Sequence, residues 1–228
     1  GGVKRDWLYS RMARHLFQNH PPNLLMIHLV EVDHIEHQYG PRSPQAYWSV
    51  SYIDDRLRDI GEAIKLSPHG DKTTLVVASD HGFYPITKDI RPNVLLKKAG
   101  LLSKEKKQVY CLAQGGASMV YILDVANRAE TIKKLKKQFA AVEGVQAVLD
   151  ADEYTKLGQP TPAEDSRAPD LWLAAKTGYS FSNSDGGDDV VAPRKSKGGT
   201  HGYLPDDPDM LGSLVISGYG IKPGTKLP

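Results

Sequence analysis

The chain has 228 residues, of which 40% are hydrophobic and 25% are charged, and its formal net charge is +2 at pH 7. This length allows one large α/β domain or a domain with an inserted subdomain, and the composition is that of an ordinary globular protein. A net charge this small gives no electrostatic reason to expect nucleic acid as a partner. The sequence has no run of about 18 apolar residues, so we expect no membrane span.

The first predicted elements are a helix and a strand. In GGVKRDWLYSRMARHL, Trp7, Leu8, Met12 and Leu16 recur at helical spacing, which predicts a helix. Two prolines end the pattern, and NLLMIHLV at residues 23–30 follows. A nearly continuous apolar run of this length is typical of a strand buried on both faces, as in parallel sheets.

A second helix and strand follow in the same order. SPQAYWSVSYIDDRLRDIGEAIKL offers Ser43 as the N-cap and Pro44 as the first helical residue of a helix longer than five turns. TTLVVASDHGF then predicts a second buried strand. Because a strand, helix and strand in series form a right-handed crossover, we expect the two strands to be parallel.

The middle of the chain indicates smaller elements. RPNVLLKKAGLL predicts a short helix, and QVYCLAQGGASMVYIL predicts two strands joined at Gly115 and Gly116. A helix is expected within residues 126–142, followed by the strand VQAVL. Further on, DLWLAAKTGYSFS predicts a strand and hairpin, a charged glycine-rich loop follows, and GSLVISG predicts a last strand.

We therefore predict an α/β fold with a mostly parallel sheet flanked by helices and a smaller α+β insertion. Residues 1–100 would form the βαβ half of the core, residues 101–168 the insertion, and residues 169–228 the return to the core. Polar residues follow both expected parallel strands, at the carboxyl edge where ligands bind in open α/β sheets.

Five side chains in three distant stretches carry the chemistry. Asp33 and His37 in VEVDHIEHQYGP are four residues apart, so they share a face if the chain makes one helical turn. Asp80 and His81 are adjacent in ASDHGF, and His201 lies in GGTHGY. Two carboxylates and three imidazoles suit zinc or a similar transition metal better than calcium or magnesium.

Each motif alone is a weak signal with an ordinary structural alternative. An Asp-x-x-x-His spacing occurs by chance in many proteins, and the SDHG stretch could be a strand-end turn in which Asp80 caps the next helix. Glu31 either lies beside Asp33 or faces solvent. The placement of two motifs at the ends of successive buried strands favours the metal-binding interpretation.

The order of VDHIEHQYGP, VVASDHGF and GTHGYLPDDPDM resembles the type I phosphodiesterase/nucleotide pyrophosphatase family of the alkaline phosphatase superfamily. The resemblance implies that Asp33, His37 and His201 hold one zinc ion and that Asp80 and His81 hold part of a second. It also implies hydrolysis of a nucleotide or another phosphodiester substrate.

The resemblance further implies a threonine or serine nucleophile, which in the family lies upstream of the first motif together with one more aspartate ligand. Here Ser10, inside the predicted first helix, is the only serine or threonine before Asp33. We therefore expect the chain to be the carboxyl-terminal part of a catalytic domain. It should hold one or none of the two zinc ions and should not turn over substrate alone.

Three further expectations follow. A missing strand would leave a sheet edge through which the chain forms a homodimer. The resemblance to proteins that are often secreted or periplasmic implies an extracytoplasmic location. The alternatives are an inactive metal-binding fragment that acts as an interaction surface, or a metal-dependent phosphomonoesterase, phosphonate hydrolase or mutase of the same superfamily.

Overall fold

A computed structural model of the chain describes residues 1–123 and 126–226, which form two compact units. The first unit comprises residues 1–82 and the carboxyl-terminal part from Leu211, and the second comprises Phe83–Met210. The described residues form both helices and strands, and the predicted α/β class is confirmed. The division at residues 100 and 168 stays a prediction.

The helices are α1 (Gly2–Asn19), α2 (Glu31–Tyr39), α3 (Pro44–Lys65), α4 (Pro92–Lys98), α5 (Arg128–Ala140) and α6 (Ala151–Tyr154). The strands are β1 (Thr74–Ala78), β2 (Tyr84–Pro85), β3 (Lys88–Ile90), β4 (Val109–Gln114), β5 (Ala117–Ile122), β6 (Val145–Leu149), β7 (Leu171–Ala175), β8 (Tyr179–Phe181), β9 (Val191–Pro193), β10 (Gly199–Thr200) and β11 (Leu214–Gly218).

The core of the first unit lies between α1 and α3, where Phe17 of α1 packs in one cluster with Ile60 and Ile64 of α3. The cap predicted for α3 is confirmed, since the Ser43 hydroxyl accepts a hydrogen bond from the Ala46 N–H at 3.1 Å. Proline at the first position loses no helical hydrogen bond there. Sequence signals close to the helix end were therefore sufficient to place it.

The first helix is confirmed, but the apolar residues at helical spacing are not the ones that it buries. Trp7, Leu8 and Met12 are about half exposed. The residues that α1 buries are instead two polar and several small or apolar ones: Gly2, Asp6, Ser10, Ala13 and Phe17. The two polar residues can be buried because both have partners: Ser10 donates to the Trp7 carbonyl oxygen at 2.8 Å, and Asp6 accepts backbone hydrogen bonds.

The strand expected at residues 23–30 is not formed in the structure. Exposed and partly buried side chains alternate from Leu24 to Leu29, which is the period of an extended chain, but the segment has no ladder partner among the described residues. Instead, β1 pairs antiparallel with β11. Within the part of the chain that the structure describes, the parallel pairing expected for the first two strands is therefore absent, because an apolar run becomes a strand only where a neighbour completes its hydrogen bonds.

The second unit is built around an antiparallel sheet with strand order β4-β5-β7-β6. Its core includes the fully buried Val109, Leu135, Leu171 and Leu173. The two strands predicted to join at Gly115 and Gly116 are confirmed as the β4–β5 hairpin. The hairpin predicted after β7 is wrong, because β8 leaves that sheet and pairs in parallel with β3.

Two asparagine side chains replace a neighbouring strand along the outer edge of β4. The buried Asn93 amide donates to the Cys111 carbonyl oxygen at 2.8 Å and accepts from the Cys111 N–H at 2.9 Å. Two residues further along, the Asn183 side-chain oxygen accepts from the Ala113 N–H at 2.7 Å. The edge groups at both positions are thereby satisfied without another strand.

Candidate metal centre

The first pair of predicted ligands lies on one face of α2. The Asp33 Oδ1 atom is 3.5 Å from the His37 Nε2 atom, and both side chains are a little under half exposed. The helical turn on which the prediction depended is confirmed. Two donors on one tetrahedral zinc ion, each about 2.0–2.2 Å from it, lie roughly 3.3–3.6 Å apart. The carboxylate and imidazole therefore fit a shared zinc ion.

The start of α2 is fixed by Asp6, which is fully buried. Its carboxylate oxygens accept hydrogen bonds from the Val30 N–H at 3.0 Å and the Glu31 N–H at 2.9 Å. A carboxylate in this position satisfies N–H groups that lack helical partners and suits the positive end of the helix dipole. Local sequence signals missed Asp6, because a cap that comes from 24 residues away leaves no pattern near the helix.

Glu31, for which the sequence left two positions open, is only 4% exposed. It therefore does not face solvent. Its Oε2 atom is buried with no hydrogen-bond partner among the described residues, and the carboxyl lies against Gly2, where an added Cβ would collide with it. The close packing of α1 on the start of α2 explains why a glycine occupies that position.

The second pair follows β1. The His81 Nε2 atom is 3.5 Å from the Asp80 Oδ2 atom, and the His81 Nδ1 atom is 3.1 Å from the Gly82 carbonyl oxygen. Since a carbonyl can only accept, that bond requires a proton on Nδ1 and leaves Nε2 to accept or to ligate. Metal-binding histidines commonly donate their second ring N–H to such a carbonyl. The Asp80 and His81 donors therefore also suit a metal.

The half-buried Glu36 carboxyl is affected electrostatically by one member of each pair. Burial is the largest cause that raises the pKa of the Glu36 carboxyl above its ordinary value, and the negative charge of Asp33 adds to it. The interaction with His81 acts in the opposite direction. Asp33 of α2 and His81 after β1 thus lie near enough to act on the same carboxyl group.

His201 belongs to the second unit, directly after β10, which pairs with β2. Its ring stands edge-to-face with that of Phe83, with centroids 5.3 Å apart, and its carbonyl oxygen accepts from the Gly116 N–H at 2.7 Å. The next residue, Gly202, has a φ of +85°, and an added Cβ would lie 2.6 Å from the Gln114 carbonyl oxygen. The glycine-rich sequence around His201 thus permits a close backbone approach.

The residues after His201 form hydrogen bonds that sequence patterns did not indicate. The Tyr84 hydroxyl donates to the Asp207 carboxylate at 2.6 Å, which raises the pKa of the Tyr84 phenol. Tyr203 is buried, and its hydroxyl donates to the Tyr179 carbonyl oxygen at 2.7 Å. Both tyrosines fix the turn that carries the late motif, so this turn has a structural role.

No helix in the part of the chain that the structure describes is both long and apolar enough to cross a membrane. Comparison with curated proteins finds no match.

Several solved structures have the same fold, and each aligns with nearly all of this chain. Phosphonoacetate hydrolase from Sinorhizobium meliloti 1021, in complex with phosphonoformate, superposes with a TM-score of 0.65 at 16% identity, over 94% of this chain and 50% of its own. An inactive variant of murine ectonucleotide pyrophosphatase/phosphodiesterase 5, in complex with AMP, gives 0.68 at 18% identity, over 96% and 52%. The human protein of that name gives 0.63 at 16% identity. The chain therefore spans about half the length of these structures.

The sequence itself also matches a family profile, that of type I phosphodiesterase/nucleotide pyrophosphatase, over residues 2–204. This match covers most of the chain and includes the Asp33, Asp80 and His201 motifs. The chain belongs to the type I phosphodiesterase/nucleotide pyrophosphatase family.

Proposed function

We propose that the chain is the metal-binding part of a zinc-dependent phosphodiesterase or nucleotide pyrophosphatase. The observation that carries this proposal is the Asp33–His37 pair, whose donor atoms are 3.5 Å apart on one face of α2. Membership of the family supports the reaction class, hydrolysis of phosphoester or phosphoanhydride bonds.

The proposed ligands divide between two zinc ions. Asp33, His37 and His201 would hold the first ion, and Asp80 and His81 would contribute to the second. The support is the donor chemistry, since mixed carboxylate and imidazole sets suit zinc. The 3.5 Å separation within each of the two pairs in the first unit adds to that support. The chain alone would hold zinc at the first position.

When bound, zinc ions supply Lewis acidity that offsets negative charge on phosphoryl oxygens. The side chains of this chain would determine where the zinc ions are held. Asp6 holds the start of α2, and the helix holds Asp33 and His37 in register. The Gly82 carbonyl orients the His81 ring.

We further propose that the threonine or serine nucleophile lies outside these 228 residues. Ser10 does not fit that role, because it is buried in α1 and its hydroxyl donates to the Trp7 carbonyl oxygen. The chain alone would therefore not turn over substrate. Whole-enzyme activity on a nucleotide or another phosphodiester is part of this proposal.

The test is hydrolysis of bis(p-nitrophenyl) phosphate and of a dinucleoside polyphosphate by a longer protein that carries this chain. We expect activity that a chelator abolishes and zinc restores, and that His37→Ala removes but the exposed-site control His69→Ala does not. Measurable turnover by the 228-residue chain itself, lost on changing any of the five ligands, would overturn the fragment proposal. Hydrolysis of phosphonoacetate by the same longer protein tests the phosphonate hydrolase alternative. The supporting observation for that alternative is the fold similarity to phosphonoacetate hydrolase.

We also propose that the open sheet edge of the first unit pairs with a second copy of the chain. Leu24 and Met26 are 77% and 85% exposed, and Val76 of β1 is more than half exposed. Among the described strands, β1 pairs only with β11, so its other edge is open to another strand. Sedimentation should give a dimer that Val76→Lys dissociates and Leu66→Lys, at another exposed apolar site, does not. A monomeric wild type would refute this.

An extracytoplasmic location is proposed on the family resemblance alone. Fractionation of cells that produce the protein should recover it outside the cytoplasm. Recovery with cytoplasmic markers would contradict this proposal.

A further inference from the structure

The second unit contains a cavity of about 510 Å³ whose polar lining is mainly cationic. Arg91, Arg194 and Lys195 line it together with one carboxylate, Asp89, so three positive charges face one negative charge. Asp185, in the neighbouring acidic loop, lines a different cavity. We refer to the first space as the cationic cavity.

The backbone around the cationic cavity is held by the sheet β8-β3-β9. The Arg91 N–H donates to the Val190 carbonyl oxygen at 2.7 Å, and the Arg194 N–H donates to the Thr87 carbonyl oxygen at 2.8 Å. The backbone of both arginines is thus hydrogen-bonded and lies at the ends of paired strands. Their side chains are presented by ordered segments, which lowers the conformational cost of binding a ligand.

The carboxylate of Asp89 satisfies only part of the Arg194 guanidinium. The Arg194 Nη1 atom lies 3.1 Å from Asp89 Oδ1, but the Arg194 Nε atom is buried and has no acceptor among the residues that the structure describes. A buried N–H without an acceptor is unfavourable, and a guanidinium offers its donors in a planar fork that matches an oxyanion. The single carboxylate of the lining therefore offsets only one of its three positive charges.

Neutral side chains in the lining also present donors. The Asn183 Oδ1 atom accepts from the Ala113 N–H, so the Nδ2 atom is the donor end of that amide. The Ser182 Oγ atom accepts from the Ser184 N–H, which leaves its hydroxyl proton to donate elsewhere. Charge and hydrogen-bonding capacity thus favour the same kind of ligand, one rich in acceptors and negatively charged.

We propose that the cationic cavity binds a phosphate-type oxyanion, with Arg91, Arg194 and Lys195 as its charged contacts. A phosphate oxygen would accept from the guanidinium of Arg194, and the other two cations would offset the remaining charge. The binding does not depend on a metal ion. The source is either free inorganic phosphate or a phosphate group of a nucleotide.

If the phosphate group belongs to a nucleotide, the cationic cavity is part of the substrate-binding site. This version of the proposal rests on the proposed function. Gly115 lines the cationic cavity, and the N–H of its neighbour Gly116 donates to the His201 carbonyl oxygen, so the cavity adjoins the segment that carries a proposed ligand. A phosphate group other than the reacting one could then be held there.

The test is calorimetric titration of the full chain, kept metal-free with a chelator, with inorganic phosphate and separately with AMP and adenosine. We expect phosphate binding that weakens roughly tenfold or more in Arg91→Gln/Lys195→Ala, since charge-assisted hydrogen bonds are lost. Lys197→Ala, an exposed lysine of the same loop that does not line the cavity, should bind as the wild type does. Amide spectra of each variant would confirm an unchanged fold.

Equal phosphate and AMP affinities would support free phosphate as the source, and tighter AMP binding would support a nucleotide. Binding of adenosine as tight as that of AMP, no phosphate binding at millimolar concentration, or an unchanged affinity in the double variant would overturn the proposal. Because metal is absent throughout, these outcomes are distinct from failure of the zinc-dependent activity.

Discussion

The Asp33 Oδ1 and His37 Nε2 atoms lie 3.5 Å apart across one turn of α2, and the position of that helix is set from outside it. Asp6 of α1 accepts the N–H groups of Val30 and Glu31, just before the two candidate ligands. The geometry of the pair therefore depends on a carboxylate that would not itself touch the metal.

Replacing Asp6 should destabilise the first unit, more strongly with alanine than with asparagine. Asp6→Ala leaves the part-buried Val30 N–H and the buried Glu31 N–H without an acceptor and should lower the free energy of unfolding by about 2–3 kcal/mol. Asp6→Asn keeps one acceptor oxygen and should cost about 1 kcal/mol. Urea unfolding measures both, with Asp54→Asn, at an exposed position on α3, as the control. Equal effects of the Ala and Asn variants would contradict the capping role.

The edge of β4 offers a test by hydrogen exchange. Asn183→Ala removes the side-chain acceptor of the Ala113 N–H, so exchange of that amide should accelerate by about tenfold or more. The Cys111 N–H, held by Asn93 at 2.9 Å, serves as the internal control and should keep its rate. An unchanged Ala113 rate would show that Asn183 does not protect this edge.

The same substitution should have opposite effects at two glycines. An added Cβ at Gly116 would lie 2.7 Å from the Tyr203 ring, so Gly116→Ala should destabilise by about 1–3 kcal/mol through overpacking. Gly61 lies inside α3 with open space around it, and Gly61→Ala should stabilise by about 0.5–1 kcal/mol. Thermal unfolding measures the two shifts. A stabilising Gly116→Ala would contradict the close packing of Tyr203.

Acid stability should depend on Lys136, which lies 2.6 Å from both the Asp150 and the Glu153 carboxylates. The hydrogen bond from Lys136 is the largest cause that lowers the pKa of Asp150. A carboxyl whose pKa is lowered by folding stabilises above its unfolded pKa of about 3.9, and this contribution is lost as pH falls through the folded value.

Lys136→Met should therefore reduce the loss of stability below about pH 4 and lower stability at neutral pH. Urea unfolding at a series of pH values measures the slope, with Lys134→Met on the exposed face of α5 as the matched control. A slope in Lys136→Met as steep as in the wild type would show that this ion pair does not couple to acid unfolding.

Elements with local signals were predictable from the sequence, and features set by distant partners were not. Ser43 and Pro44 place the start of α3 within a few residues, and the β4–β5 hairpin follows from its glycine pair. Residues 23–30 have the composition of a buried strand but pair with none of the strands that the structure describes. The buried face of α1 was also missed, because Asp6 is stabilised by N–H groups that lie 24 and 25 residues along the chain.

The candidate site shows the same division. Asp33 and His37 could be paired from their spacing, since one helical turn fixes the separation of residues four apart. No local pattern relates them to His201, and that assignment stays a prediction. The cationic cavity combines β3, β8 and β9 from separate parts of the chain, so its arginines gave no recognisable motif.

Zinc titration of the purified, chelator-treated chain by calorimetry tests the central claim most directly. We predict saturable binding that Asp33→Asn and His37→Ala each weaken by more than about tenfold, because each removes a proposed ligand. His69→Ala, at an exposed histidine, should leave the affinity unchanged. Absence of zinc binding by the wild type, or equal affinities in all four proteins, would contradict the account.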